Sequence, residues 1–247
     1  LEDFLDEAKE KRVMARAAVG TLCLRRADNA DEFVRRAADE LDLRIEIIRG
    51  EEEARLTWMG VMQDLPRGVG HPAVFDVGGG STELIFGSRS MILNKQSLET
   101  GASRVTEAFL SSDPPDSADL HTLLNALEEG PFKPLEAEAF DAMLGVGGTA
   151  TTLAAMELQL AEYDAGKVQG LELDRRQIAG WMERLRSLTR AERKALPGLD
   201  PARADVILGG VAIIYGLLRR LGADRFTVST RGLRHGLMIQ RFAPQAA

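Results

Sequence analysis

The stretch FDVGGGSTELIFG, residues 75–87, reads as a buried strand ending on an acid, a glycine turn, and a second strand running back. Gly78, Gly79 and Gly80 permit a sharp turn and let main-chain N–H groups approach an anion, while Ser81 and Thr82 add hydroxyl donors. Asp76 and Glu83 stand on either side of the turn on paired strands, so both carboxylates can reach one hard cation such as Mg²⁺. The plainer alternative is a tight glycine hairpin with a solvated aspartate.

Downstream, SMILNKQSL continues as a third strand and GASRVTEAFL as a helix, a βββα unit. A second glycine loop, GVGGTATTLA at 145–154, places Gly147, Gly148 and Thr149 between a buried strand and a helix N-terminus, again a favourable anion site. Such a turn is common as pure packing, but two in one chain, one of them carrying carboxylates, favour phosphate chemistry. Residues 165–222 read as a helical stretch that includes the apolar VILGGVAIIYGLLRRL, followed by a last strand, RFTVST, and a terminal helix, RGLRHGLMIQRF.

Upstream, a loose helix over residues 1–13 precedes the apolar run ARAAVGTLCL, read as a strand with Cys23 as a small core thiol. Asn29 can cap a helix with Phe33, Val34, Ala37 and Leu41 on one face, and RIEII follows as a strand. Residues 51–65 form a helix with Ala54, Trp58, Val61, Met62 and Leu65 inward. One of its leading acids, Glu51, Glu52 or Glu53, can serve as a general base if it faces a cleft; from spacing alone all three belong to a solvated helix start. PRGVGHP, 66–72, breaks the chain as a linker.

Composition narrows the function classes. The chain has 247 residues, 45% of them hydrophobic and 28% charged, which excludes disorder as the main state. No apolar run is long enough for a bilayer crossing and the first residues are charged, so a cytoplasmic protein without a membrane partner is expected. A lone cysteine excludes an internal disulfide, and His71, His121 and His235 are scattered among polar or arginine-rich neighbours and make poor ligands. The net charge of −7 argues against nucleic acid as a partner. It is unevenly spread: residues 1–174 carry 17 Lys+Arg and 33 Asp+Glu, whereas 175–247 carry 14 and 5, a basic C-terminal third that favours a polyanionic ligand.

Taken together, these segments resemble the exopolyphosphatase and guanosine-pentaphosphate phosphohydrolase (Ppx/GppA) family of the actin-like ATPase superfold. VGTLCLRRADNADEF resembles its G-T-x-x-L-R-x-A-x-N-x-x-x-F segment and IRGEEEARL its G-x-E-E-A-R helix. FDVGGGSTELIFG and LGVGGTATTLAA resemble its later glycine loops, and VSTRGLRHG its closing S-x-x-G-L-R-x-G. The resemblance implies an α/β protein of two ribonuclease-H-like domains with an interdomain cleft. Residues 1–70, with the C-terminal helix 237–247 packed on them, would form the first domain and 71–236 the second.

It further implies Glu53 as the base for the attacking water and Asp76 and Glu83 as ligands of a Mg²⁺ cofactor. Phosphate contacts would come from Gly78, Gly79, Gly80, Ser81 and Thr82, from Gly147, Gly148 and Thr149, and from a substrate-facing Arg25. The activity implied is hydrolysis of a phosphoanhydride: release of the terminal phosphate of inorganic polyphosphate, conversion of pppGpp to ppGpp, or both. Dimers are common in the family, and apolar helices within 176–221 could supply a homodimer interface.

Two departures stand out. Nothing before Gly20 matches the family's first phosphate loop, D-x-G-S-N-S, so a preceding segment outside these residues is expected; and Thr230 stands where many relatives have Asp. Rival readings are a non-catalytic sensor that binds guanosine tetraphosphate or polyphosphate, or an ATPase or kinase of the same superfold.

Overall fold

A computed structural model describes residues 1–136 and 138–243; residues 244–247, the end of the expected terminal helix, and Ala137 lie outside the described residues. The chain opens with α1 (Glu2–Glu10), β1 (Ala18–Gly20), α2 (Leu22–Arg26), α3 (Ala30–Leu41), β2 (Ile45–Ile47) and α4 (Gly50–Val61). β1 and β2 pair in parallel as a small sheet of their own, with Ala18 opposite Ile45.

The apolar run 15–24 is not one strand, which corrects the expectation. β1 ends at Gly20, and Leu24 of α2 folds back so closely that a Cβ at Gly20 would stand 2.4 Å from its Cδ1. Cys23 is accordingly exposed on a short helix, not buried in a strand.

The remainder comprises β3 (Pro72–Val77), β4 (Thr82–Ser88), β5 (Met91–Leu98), α5 (Ala102–Phe109), α6 (Ser117–Glu129), β6 (Ala142–Val146), α7 (Gly147–Glu157), α8 (Ala165–Val168), β7 (Glu172–Asp174), α9 (Arg175–Ser187), α10 (Arg190–Arg193), α11 (Ile207–Arg220), β8 (Arg225–Val228) and α12 (Leu233–Phe242). Six strands make a mixed sheet in the order β5-β4-β3-β6-β8-β7. β3, β6 and β8 run parallel at its centre, flanked by antiparallel β4 and β5 on one side and β7 on the other. β7 lies inside the stretch read as helical; three residues are too few to show strand alternation.

Strand alternation sorts the two faces of this sheet. Ala73, Phe75 and Val77 join Leu84 and Phe86 in the large core beneath α7 and α11, where Leu153, Ile213 and Leu217 are fully buried. Val74 and Ile85 face the other way, onto Ala54, Trp58 and Val61 of α4. By the same parity Asp76 and Glu83 point toward the α4 side, at the end of the sheet where the glycine loops begin. The opposite face of α4 packs Leu56 against Ile48 and Leu237, so α4 is held between the sheet and α12. Among the described residues no helix is long and apolar enough to cross a membrane.

α12 crosses α4 at backbone contact. A Cβ at Gly236 would stand 1.8 Å from the carbonyl oxygen of Leu56, and one at Gly60 would stand 2.3 Å from that of Gly232. Gly236→Ala is therefore expected to lower unfolding free energy by roughly 2 kcal/mol: an overpacking cost of up to about 3 less about 1 from helix propensity. The urea midpoint of the full chain measures this, and an unchanged midpoint would show that the two helices can move apart freely.

Candidate active site

The β3–β4 hairpin positions the acids. A four-residue turn, Gly78 to Ser81, closes with Gly78 N–H donating to Ser81 O at 2.9 Å, and the register sets Asp76 directly opposite Glu83. Directly opposed residues on one face have neighbouring side chains, so the two carboxylates meet there. Burial first, then the charges of Glu83 and Glu53, push the Asp76 carboxyl up to about 7. Glu83 is likewise raised, chiefly by burial and also by Glu53, against the lowering effect of hydroxyls from Ser81 and Ser97. Those hydroxyls donate to the same oxygen, Oε1, at 2.8 and 3.1 Å and fix the carboxylate in place.

Glu53 approaches these acids from the first turn of α4. Its Oε2 accepts from Arg25 Nη1 at 3.0 Å, and the same nitrogen donates to Ile48 O at 2.8 Å. Arg25, expected to face substrate, seats its Nη1 on the protein, where it steadies Glu53.

The donor set fits a hard divalent cation. It is all oxygen, it is anionic, and its members repel each other in a desolvated place, a penalty that a bound cation removes. Among the described residues no group of three His, Cys, Asp or Glu side chains is placed to hold a metal on its own. Two carboxylates with room for water and substrate oxygens are the usual provision for Mg²⁺.

The second glycine loop meets the first. Gly147 has φ +81°, and a Cβ on it would stand 2.1 Å from Asp76 Oδ1, so only glycine fits there. Thr149 donates its hydroxyl to Val77 O at 3.0 Å, and Thr82 donates its own to Thr100 O at 2.6 Å. Both side chains are buried. Thr82 and Thr149, both expected at phosphate, thus spend their hydroxyls on main-chain carbonyls, which locks the loops together. Ser81 is likewise turned to Glu83 and Gly78 spends its N–H on Ser81 O, whereas Gly147 and Gly148 of the expected set line the cleft.

A cleft of about 810 Å³ opens at this point, lined by Asp76, Gly147, Gly148 and Thr151 at one end and by Tyr163, Pro201, Arg203, Thr230 and Arg234 elsewhere. Arg203 had escaped the sequence reading. Its guanidinium lies over the first turn of α7, so close that a Cβ on Gly148 would stand 2.1 Å from Nη1. Among the described residues no side chain caps that helix end, and the nearest acid to Arg203, Asp200, is 3.9 Å away. A cation against the positive end of a helix dipole is unfavourable unless an anion shares the space. The basic C-terminal third was the sequence signal for it, without singling out a residue. Thr230 lies on the cleft wall, and its N–H and hydroxyl both donate to Gln169 Oε1, at 2.7 and 2.8 Å.

A family model described as the Ppx/GppA phosphatase family matches residues 1–243. Among curated proteins, exopolyphosphatase 2 of Mycobacterium tuberculosis is 32% identical over 233 residues, covering 90% of this chain and 73% of its own. A bifunctional 3-dehydroquinate synthase/phosphatase of Fusobacterium nucleatum is 30% identical over 245 residues, 94% of this chain and 35% of that protein. Among solved structures, a Ppx/GppA family member from Aquifex aeolicus superposes with a TM-score of 0.83 at 35% identity, covering 96% of this chain and 77% of that one. An exopolyphosphatase from Cytophaga hutchinsonii gives 0.85 at 29% identity, covering 97% and 78%.

Proposed function

Because the chain belongs to the Ppx/GppA phosphatase family, with the α/β fold of the actin-like ATPases, we propose that it hydrolyses the terminal phosphoanhydride of inorganic polyphosphate in the cleft that begins at Asp76. At family level the chain is a phosphoanhydride hydrolase; the substrate, the metal and the residue roles are our reading. The observation that carries it is the convergence of opposite charges on one spot: Asp76 and Glu83 on one side, and the uncapped start of α7 beneath Arg203 on the other.

The terminal phosphoryl group is taken by the main-chain N–H groups of Gly147 and Gly148 and by Arg203. Gly79 and Gly80 approach it from the hairpin. Glu53, steadied by Arg25, accepts a proton from water as the water oxygen bonds to phosphorus. The bond from phosphorus to the bridging oxygen breaks, and the shortened polyphosphate leaves with that electron pair. Asp76 and Glu83 would hold a Mg²⁺ ion, which when bound supplies charge neutralisation on the phosphoryl oxygens. Catalysis of this kind is mainly positioning and electrostatics, and rigid loops joined by the Thr149–Val77 bond suit it.

The cleft also favours a second substrate of the same chemistry. Its volume exceeds what a phosphate chain fills, and Leu160, Tyr163, Leu199 and Pro201 give it an apolar wall. That wall supports conversion of pppGpp to ppGpp alongside exopolyphosphatase activity. Orthophosphate release from long-chain polyphosphate and from pppGpp, each with Mg²⁺ and with EDTA, tests both; no Mg²⁺-dependent release from either would leave a binding protein. Arg203→Gln is expected to raise KM by roughly 10- to 100-fold, the worth of one charge-assisted hydrogen bond, and an unchanged KM would remove Arg203 from the site.

A further inference from the structure

Arg193, the last residue of α10, is 2% exposed, and among the described residues no carboxylate forms an ion pair with it. Its Nε donates to Leu185 O at 2.7 Å and its Nη1 to Ala204 O at 3.4 Å, while Nη2 has no partner among the described residues. A buried cation with no direct ion pair, acted on only at a distance by Asp113 and Asp205, costs more than an apolar side chain of similar volume, so stability alone does not account for an arginine here. Its contacts suggest another role. Leu185 belongs to the scaffold helix α9, and Ala204 directly follows Arg203.

The turn that carries Arg203 is pinned at two further points. Asp200 accepts from Ala202 N–H at 3.0 Å, and Gly198, with φ +84°, presses on α7, where a Cβ would stand 2.2 Å from Ala155 O. Gly198 thus fixes the near end of the turn on the helix that presents Gly148. The far end, at Ala204, is held by Arg193.

We infer that Arg193 is a positioning residue for Arg203: by tying the Ala204 carbonyl to the α9–α10 scaffold it keeps the Arg203 guanidinium over Gly148, ready for substrate phosphate. This rests on the reading of Arg203 as a phosphate contact. Arg193 itself touches no substrate, and its effect passes entirely through the geometry of the turn.

The test uses the full chain as wild type, Arg193→Met, Arg193→Lys, Arg203→Gln and the Arg193→Met/Arg203→Gln double variant. Calorimetry with inorganic tripolyphosphate on EDTA-treated protein reads binding without turnover, and KM, kcat and the thermal midpoint are measured beside it. Arg193→Met is expected to weaken tripolyphosphate binding and raise KM about ten-fold, with kcat within about two-fold and little change in midpoint, because an apolar side chain relieves the buried charge. In the Arg203→Gln background the same change should have no further effect, since two residues acting through one contact are coupled.

Wild-type binding by folded Arg193→Met, with Arg203→Gln impaired, overturns the inference and leaves the role of Arg203 standing. A ten-fold loss that persists undiminished in the Arg203→Gln background also overturns it, since Arg193 would then act elsewhere. If Arg203→Gln binds like wild type, the placement of Arg203 fails and the inference falls with it. Should Arg193→Met not fold, Arg193→Lys carries the same comparisons, because lysine keeps the charge and the bond to Leu185 O but cannot bridge to Ala204 O.

Discussion

Replacing Glu53 by glutamine is expected to cut Mg²⁺-dependent phosphate release from polyphosphate by roughly 10²- to 10⁴-fold, the usual contribution of a positioned general base. The substitution is nearly isosteric, and the glutamine side-chain oxygen can still accept from Arg25 Nη1, which also keeps its bond to Ile48 O. Substrate binding should therefore survive, with KM changed little. A kcat within three-fold of wild type, at saturating substrate, would falsify the role of Glu53 as base. The expected loss is larger than that for Arg203→Gln because the base acts on the bond being formed, whereas the arginine holds the phosphoryl group both before and during attack.

Asp76→Asn should produce two effects of opposite sign. Phosphate release is expected to fall to background, because the pair with Glu83 loses half its charge. Stability of the EDTA-treated protein is expected to rise at alkaline pH. The folded-state carboxyl is held up to about 7 against an ordinary 3.8, so between those values the folded protein binds the extra proton. Stability of the wild type then falls as pH rises through that window, by on the order of 4 kcal/mol at about 1.36 kcal/mol per pH unit. Asparagine cannot ionise and escapes that loss. The advantage of Asp76→Asn should be full at pH 8 and shrink steadily toward pH 4. Denaturant melts of both proteins across this range check it, and parallel curves would mean that Asp76 is not desolvated. Added Mg²⁺ should stabilise the wild type at pH 8 and leave Asp76→Asn nearly unmoved.

Much of this site was legible from local pattern. Asp76 and Glu83 flank a short glycine turn, and strand alternation alone sends both to one face. Gly147 and Gly148 stand where a buried strand becomes a helix, which is visible in the apolar run that ends at Val146. Glu53 was a different case: spacing made it one of three equivalent surface acids, and only the resemblance separated it from Glu51 and Glu52. The structure supplies a physical difference, since Glu52 pairs with Arg55 and Gln240 whereas Glu53 turns to Arg25 and raises both Asp76 and Glu83.

The differences from expectation have physical causes too. Cys23 follows an apolar run whose strand stops at a glycine, and hydrophobicity does not distinguish a strand from a half-buried short helix. Thr82 and Thr149 sit beside glycine loops that need donors for anions, but those loops also expose carbonyls, and the hydroxyls satisfy the carbonyls. Arg203 comes to Gly148 through the packing of a long connection on α7, a contact with no signature in either segment.

The pairing of β3 with β6 has a bearing on how the protein acquires its activity. The acidic hairpin is local: residues 72–88 can come together as soon as they leave the ribosome, and with them the Asp76–Glu83 pair. The anion cradle is not, because Gly147 reaches Asp76 only after the intervening β5, α5 and α6 have been folded out of the way and β6 has docked in parallel. Parallel pairing across such a separation carries a large loop-closure cost and forms late. A nascent or proteolysed chain that ends before residue 142 would thus carry the mutually repelling acids without the cradle that makes use of them. Competence for phosphate chemistry should appear only when β6 docks.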